Sequence, residues 1–308
     1  MVFNQELWAQ VEAKVRDKVA EVDSSRSKSL IDTFAYGIFL GLALTLTICC
    51  LSGTFHFYFF LISFGIGWII FGIYYHHKRN QQYKAQVMPI IVDAICPGAI
   101  YSPEGTLTMD IIKSSRLYDC GWCEKFNNED TIRGKVDKTE FAFGEVELYH
   151  MQHTGKTTVK VTDFKGFVFE ADFNKYFNGT TLLSSEKIRL ATHLGLFSDL
   201  SRCKLENVRF EDEFRTYTNN DQEARYLLTP ALQERILNMF STFKSQLGSR
   251  DMSISFHDNC MLIMVPSNTD RFEVKYSVEE VKKDFFALQM MIDIVEQLNL
   301  NLRIWTKE

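Results

Sequence analysis

Hydrophobic and polar positions follow three regimes along this chain. In the first, Leu7, Val11, Val15, Val19 and Val22 recur at about one helical turn, with Glu12, Lys14, Arg16, Asp17, Lys18 and Glu21 on other faces. This predicts an amphipathic helix over residues 1–30. It could pack on protein, lie on lipid headgroups or pair with a partner helix, and its mixed charge favours packing. In the second regime no Asp, Glu, Lys or Arg occurs from Thr33 to Tyr75. Ser52-Gly53-Thr54 divides this run into about 34–51 and 55–75. Since about 20 apolar residues cross a bilayer core, the expectation is a transmembrane helical hairpin over 33–76.

Trp68, Tyr74 and Tyr75 suit a membrane interface, and Gly65, Gly67 and Gly72 allow close helix approach. Lys14, Arg16, Lys18, Arg26 and Lys28 precede the hairpin, Lys78, Arg79 and Lys84 follow it, and the turn carries none. The positive-inside rule then predicts a multi-pass protein with both termini in the cytoplasm.

The third regime, residues 78–308, mixes both periods. Lys78 to Ala94 continues as helix until Pro97-Gly98, and a short helix is expected near Thr108 to Tyr118. Phe141 and Phe143 alternate with polar residues, then the phase moves at Gly144 to Val146 and Leu148, which predicts a β-bulge. A hairpin loop at His153 to Lys156 leads to a return strand that slips again around Asp163 to Gly166.

Val208, Phe210 and Phe214 against Arg209, Glu211, Glu213 and Arg215 predict a half-buried strand over 208–217. Asn220 with Glu223 and Thr229 with Pro230 open two helices, the second carrying Leu232, Ile236, Met239, Phe240, Phe243 and Leu247 up to Gly248. A hairpin turning at Asp258-Asn259 follows, then a strand over Phe272, Val274 and Tyr276. A helix capped by Ser277 runs to Leu298, with a last strand over Leu300, Leu302 and Ile304. The fold class is an α+β cytoplasmic domain of antiparallel strand hairpins with packed helices, forming one domain or two subdomains.

Composition adds exclusions. The 308 residues are 46% hydrophobic and 24% charged, with a net charge of −5. That is not a disordered chain, and it lacks the basic footprint of a nucleic-acid binder. Seven cysteines, an odd number, suit a reducing compartment rather than a disulfide framework.

Several strings resemble a known family: Asp163-Phe-Lys-Gly-Phe-Val-Phe-Glu-Ala-Asp-Phe-Asn-Lys-Tyr-Phe177, Leu205-Glu-Asn-Val-Arg-Phe210 and Asp221-Gln-Glu-Ala-Arg-Tyr-Leu-Leu-Thr-Pro230. Asn128 to Gly134 and Phe141 to Glu145 add to them. With the apolar hairpin they are similar to the bacterial membrane proteins of "domain of unknown function 3137", over about Gln81 to Leu298. The resemblance implies a bacterial inner-membrane protein with a cytoplasmic α+β domain, and it carries no catalytic residues across.

Candidate chemistry is sparse. Cys120-Gly-Trp-Cys123 has the spacing of a dithiol redox pair, although the thioredoxin context of a strand before and a long helix after is missing. With His150 and His153 the same thiols offer a zinc ligand set, but residues three apart on a strand point to opposite faces. Reduced thiols in a loop are the simpler reading. His257 and Cys260 face one another across the Asp258-Asn259 turn, an incomplete metal set.

Gly155-Lys156-Thr157-Thr158 echoes a phosphate loop, but in a hairpin and with His150 where the leading glycine belongs. Asp221, Glu223, Arg225 and Tyr226 read as helix capping and charge pairing. Asn178-Gly-Thr180 is a glycosylation sequon that a cytoplasmic location leaves idle, and Glu211-Asp212-Glu213 reads as an exposed strand edge. With no acid, base and nucleophile converging, the expectation is a membrane-anchored, non-enzymatic protein-interaction module without cofactor. Its partners would be the bilayer and another protein, with self-association left open. The alternatives are a thiol redox enzyme, a zinc-stabilised domain, or a channel or transporter component, the last disfavoured by the lack of intramembrane charge.

Overall fold

The structure is a computed structural model that describes residues 4–52, 57–118, 125–173, 176–185, 199–298 and 300. It divides into two compact units, one comprising residues 4–91 with 272–284, the other residues 92–271 with 285 onward.

The first unit is built on α1 (Gln5–Ser52) and α2 (Phe57–Gln86). Asn4 caps α1 by accepting from Leu7 N at 3.0 Å. The expected amphipathic helix and the first apolar segment are one uninterrupted helix. Trp8, Val11, Val15, Val19 and Val22 are buried, while Glu12–Arg16 and Lys18–Glu21 pair on its exposed side.

The helices run antiparallel. Ser63 Oγ donates to Gly41 O at 3.2 Å, Tyr36 stacks on Phe71 at 4.9 Å, and Gly37 lies under Phe64 and against Gly67. The turn at 53–56 lies outside the described residues. Leu30–Cys50 is long and apolar enough to cross a membrane, and among the described residues it alone meets that test. The two-helix hairpin is therefore carried only as far as an antiparallel helical pair with one candidate span.

Helix continues past the apolar stretch to Gln86 and resumes as α3 (Met88–Ile95). The break follows from Pro89, which has no N–H and crowds the carbonyl four residues back. The expected strand over Phe272, Val274 and Tyr276 does not form. Val274 N donates to Asn80 Oδ1 at 2.8 Å, so a side chain on α2 takes the group a strand ladder would have used.

The second unit is a sheet of nine strands among the described residues, every neighbouring pair antiparallel. They are β1 (Ile100–Ser102), β2 (Lys125–Val136), β3 (Thr139–Thr154), β4 (Thr157–Asp172), β5 (Thr181–Ser184), β6 (Ser201–Arg202), β7 (Arg215–Thr218), β8 (Ser253–His257) and β9 (Cys260–Pro266), in the order β1-β2-β3-β4-β9-β8-β5-β7-β6. The β3–β4 hairpin outruns its neighbours. Among the described residues β2 pairs β3 only up to Tyr149 and β9 pairs β4 only from Gly166, so within them the tip is a two-stranded arm.

On one sheet face Ala142, Val146, Leu148, Phe164, Val168 and Met264 share a core with Ile112 of α4 (Met109–Ser115). On the other, Phe141 stacks on Phe169 at 6.0 Å, and Phe143 is fully buried.

These two covered faces correct the phase shift read at Gly144. β3 alternates without interruption, and its apolar residues change face because both faces are packed. The bulge lies across the ladder, where Asp130 and Thr131 of β2 oppose Gly144. Asp130 has φ 53°, and a Cβ on residue 144 would come within 2.8 Å of Thr131 Oγ1. The slip near Asp163 is present, since Leu148 pairs Phe164 while Tyr149 pairs Thr162.

The expected strand over 208–217 is a helix followed by a short strand. α5 (Val208–Glu213) is capped by Asn207, which accepts from Phe210 N, and β7 begins at Arg215. The spacing of Phe210 and Phe214 fits one helical turn as well as a strand face. Their rings stack at 5.2 Å, while Val208 is 73% exposed. Glu211-Asp212-Glu213 is accordingly a helix end, not a strand edge.

α6 (Asp221–Leu227) and α7 (Pro230–Leu247) begin at Asn220 and Thr229, and every residue of the predicted α7 stripe is buried. α8 (Val278–Ile292) starts with Ser277 Oγ accepting from Glu280 N at 3.3 Å. The expected continuous helix breaks at Asp293 before α9 (Ile294–Gln297). Residues 302 and 304 of the expected last strand lie outside the described residues.

Candidate functional site

In the sheet unit, β2, β3 and β4 place polar side chains side by side where the ladder loosens. Glu129 of β2 is directly opposite Glu145 of β3, and Asn127 is opposite Glu147. Lys165 of β4 pairs with Glu147 from the other side. The chain after β9 brings in Asp270. Together they line a cleft of about 210 Å³.

Like charges directly opposite one another on a sheet are unfavourable, and the cleft handles the two glutamates of β3 differently. Glu147 accepts from Lys160 Nζ at 2.8 Å and from Thr162 Oγ1 at 3.1 Å. Burial pulls its pKa up, but these donors outweigh that and hold it below the ordinary value. Glu145 accepts from Arg271 N at 3.1 Å. Burial first, and the neighbouring Asp270 charge second, push its pKa up to about 8. The cleft thus holds an ionised carboxylate beside a carboxyl that is mostly protonated at neutral pH. It can donate one proton, and it can receive a cationic group.

The strand geometry rests on the bulge. Asn128 Oδ1 accepts from Leu107 N at 2.7 Å, and Asn128 Nδ2 donates to Glu145 O at 2.9 Å. Thr131 Oγ1 accepts from Thr106 N at 2.9 Å, and Tyr101 Oη donates to Asp130 Oδ1. The string Asn128 to Gly134 therefore moulds the strand that presents Glu129. Sequence reasoning missed Glu145 and Asp270. The available signal was an acid inside an apolar strand, at Gly144-Glu145-Val146.

The residues singled out from sequence fall elsewhere. Cys120 and Cys123 lie outside the described residues, so the redox and zinc readings rest on side chains without a described place. His150 Nδ1 is 2.8 Å from Asp163 Oδ2, and His153 Nδ1 is 2.8 Å from Thr158 Oγ1, each with its own partner along the arm. Among the described residues no group of three or more His, Cys, Asp or Glu is arranged to hold a metal.

His257 and Cys260 do pair across their hairpin. Burial, followed by the charges of Glu170, Asp172 and Asp258, raises the Cys260 thiol to about 11, which leaves it an unreactive thiol. Gly155 and Lys156 form the turn of the arm. Asp221 pairs with Arg225 at 3.1 Å within α6, as capping and charge pairing predict.

An antiparallel sheet with packed helices, a carboxyl-lined cleft and an apolar helix define an α+β protein with one candidate membrane span. Residues 162–300 match the family described as "Protein of unknown function (DUF3137)", which bears out the resemblance over that stretch. Among curated proteins none matches. A solved structure that matches is the crystal structure of the mycobacterial trehalose monomycolate transport factor A, TtfA. It is 12% identical, with 65% of this chain and 88% of that chain covered, at a TM-score of 0.32. A superposition that loose fixes neither fold nor function.

Proposed function

We propose that the chain is a membrane-anchored interaction module. Two helical spans hold the α+β unit at the cytoplasmic face of the bacterial inner membrane, where its cleft receives a basic side chain of a protein partner. The observation that carries the anchoring is the apolar surface of both helices. Ile31 is 70% exposed, Phe39 73%, Ile69 61% and Ile73 66%, with Leu42, Leu46, Ile62, Ile66 and Ile70 also exposed. Soluble proteins leave patches of only a few hundred Å² uncovered, and a bilayer covers such a belt. The cationic flanks of the charge-free stretch favour a cytoplasmic location for both ends. The net acidic lining of the cleft favours a basic guest.

Two experiments test this reading. Reporters fused at residues 1 and 308 are expected to report the cytoplasm together, and opposite compartments would overturn the two-span topology. Affinity capture with the full-length protein, wild type against Glu129→Lys, is expected to lose a basic partner from the variant. An unchanged set of captured proteins would remove the cleft from the interaction.

A further inference from the structure

A groove of about 280 Å³ runs along the helical pair, lined by Leu30 and Thr33 of α1 and by Trp68, Gly72, Tyr75 and Arg79 of α2. The α2 members recur at three- and four-residue steps, so they form one stripe about 16 Å long. The stripe is apolar until its cytoplasmic end. There Tyr276 gathers two guanidinium groups: Arg79 Nε donates to Tyr276 Oη at 3.3 Å, and the Arg26 guanidinium lies over the ring, 4.9 Å from its centroid. The charge of Asp32 also reaches Tyr75 in this stripe. Lys28 and Lys78 add further positive charge along the same sequence flanks.

We propose that this groove binds one anionic phospholipid of the bilayer, with an acyl chain along Leu30, Trp68 and Gly72 and the phosphate at Arg79 and Arg26. The proposal rests on the membrane reading above and goes beyond it. A helical pair embedded in hydrocarbon meets acyl chains along its whole length, but a site for one lipid needs a recess and a fixed charge at headgroup depth. The recess is present. A Cβ built on Gly72 meets nothing within 4 Å, so no packed neighbour fills the space there. The fixed charge is present because one tyrosine orients both arginines, and a planar guanidinium matches phosphate geometry. A peptide is the poorer occupant, since its backbone polar groups would lie unsatisfied beside lipid tails.

The test uses full-length protein taken from vesicles of phosphatidylglycerol and phosphatidylethanolamine, with retained lipids counted by native mass spectrometry. Wild type is expected to keep one phosphatidylglycerol in preference to phosphatidylethanolamine. The double variant Arg26→Ala/Arg79→Ala is expected to lose roughly thirtyfold of that preference, at about 1 kcal/mol per cation near a charged surface. Gly72→Leu fills the recess and is expected to lower retention of both lipids while leaving headgroup preference intact. Arg79→Lys keeps the charge and is expected to keep most of the preference, which separates charge from folding. Unchanged preference in the double variant, or unchanged retention in Gly72→Leu, overturns the site. Vesicle flotation runs alongside: protein that floats without lipid preference defeats only the groove, whereas protein that does not float defeats the membrane reading itself.

Discussion

Glu145 of β3 and Asp270, from the chain after β9, bring their carboxyl groups into hydrogen-bonding contact inside the cleft. A shared proton relieves the repulsion between two acids held that close. Burial first, and this repulsion second, raise the Glu145 pKa on folding from its ordinary value to about 8. The native state then binds a proton that the unfolded chain has released. The stabilisation is complete below the unfolded pKa, declines above it, and is gone once pH passes about 8.

Other groups titrate alongside it, among them Glu170, which burial raises with the same sign. Asp293, raised by burial and by Glu296 to about 6, has the same sign but is spent by that pH. His257, lowered by burial, has the opposite sign and acts only below its ordinary value. Between pH 6.5 and 8 the wild-type protein is expected to lose about 1 kcal/mol per pH unit from Glu145. Glu145→Gln, which cannot ionise, is expected to flatten the slope of unfolding free energy against pH. Equal slopes would show that the carboxyl is ionised in the folded protein.

Gly166 sits where β4 is squeezed between two neighbours, paired with Val146 on one side and Pro266 on the other. A Cβ there would collide with the Val265 carbonyl oxygen and lie 2.8 Å from Pro266 Cα. Both obstacles are backbone, so neither can swing aside. Ser267 N donates to Lys165 O at 3.0 Å and locks the crossing. Gly166→Ala is expected to cost roughly 2–4 kcal/mol and to lower the midpoint of thermal unfolding. Gly155→Ala, at the open tip of the arm with φ 60°, has no such collision and should cost about 1 kcal/mol from backbone strain alone.

Much of this fold was legible in the sequence because its helices announce their ends. Asn220, Thr229-Pro230, Gly248 and Ser277 cap as read, and the apolar stripe of α7 is buried along its full length. What misled was local ambiguity settled by packing. Phe210 and Phe214 fit a strand face and a helical turn equally. Asn207 decides for helix by capping at Phe210 N, and Glu211 gathers Arg202 and the Leu205 N–H. The Gly144 region misled because alternation reports a strand with one dry face, and this strand has two.

The family strings explain why the site stayed hidden. In Glu223 to Pro230, Ala224 and Leu227 are fully buried, Thr229 caps and Pro230 opens a helix. In Phe164 to Phe167, Gly166 is a crossing point. Those strings carry architecture, and of the cleft acids only Glu129 and Glu145 fall in family-like stretches, on two different strands, with Glu147 and Asp270 outside them.

Asn220 tests that architectural reading. Its side chain accepts from Glu223 N at 3.2 Å, and its own N–H donates to Thr218 Oγ1 at 3.0 Å, so it joins β7 to α6. Asn220→Ala removes only the cap and is expected to cost about 1 kcal/mol, whereas Asn220→Asp keeps an acceptor and should cost much less. If both variants lost the same stability in denaturant unfolding, the side-chain bond would not be the reason.

Tyr83 presents the reverse case. It is completely buried, yet its hydroxyl has no hydrogen-bond partner among the described residues. Burial first, then the charges of Asp284 and Glu280, raise its pKa, so the group is a neutral phenol that has lost its water. A buried hydroxyl without a partner costs about 1–3 kcal/mol in lost hydration. Tyr83→Phe removes the oxygen and leaves the ring to fill the same volume. The variant is therefore expected to be as stable as wild type or more stable, by up to about 1 kcal/mol. Tyr83→Ala should instead lose about 3–5 kcal/mol, the range for truncating a buried aromatic ring. Chemical denaturation of the three proteins side by side separates ring from hydroxyl. A Tyr83→Phe variant clearly weaker than wild type would mean that the oxygen is held, through a buried water or an acid of α8, and that this part of the helical unit is polar at its centre.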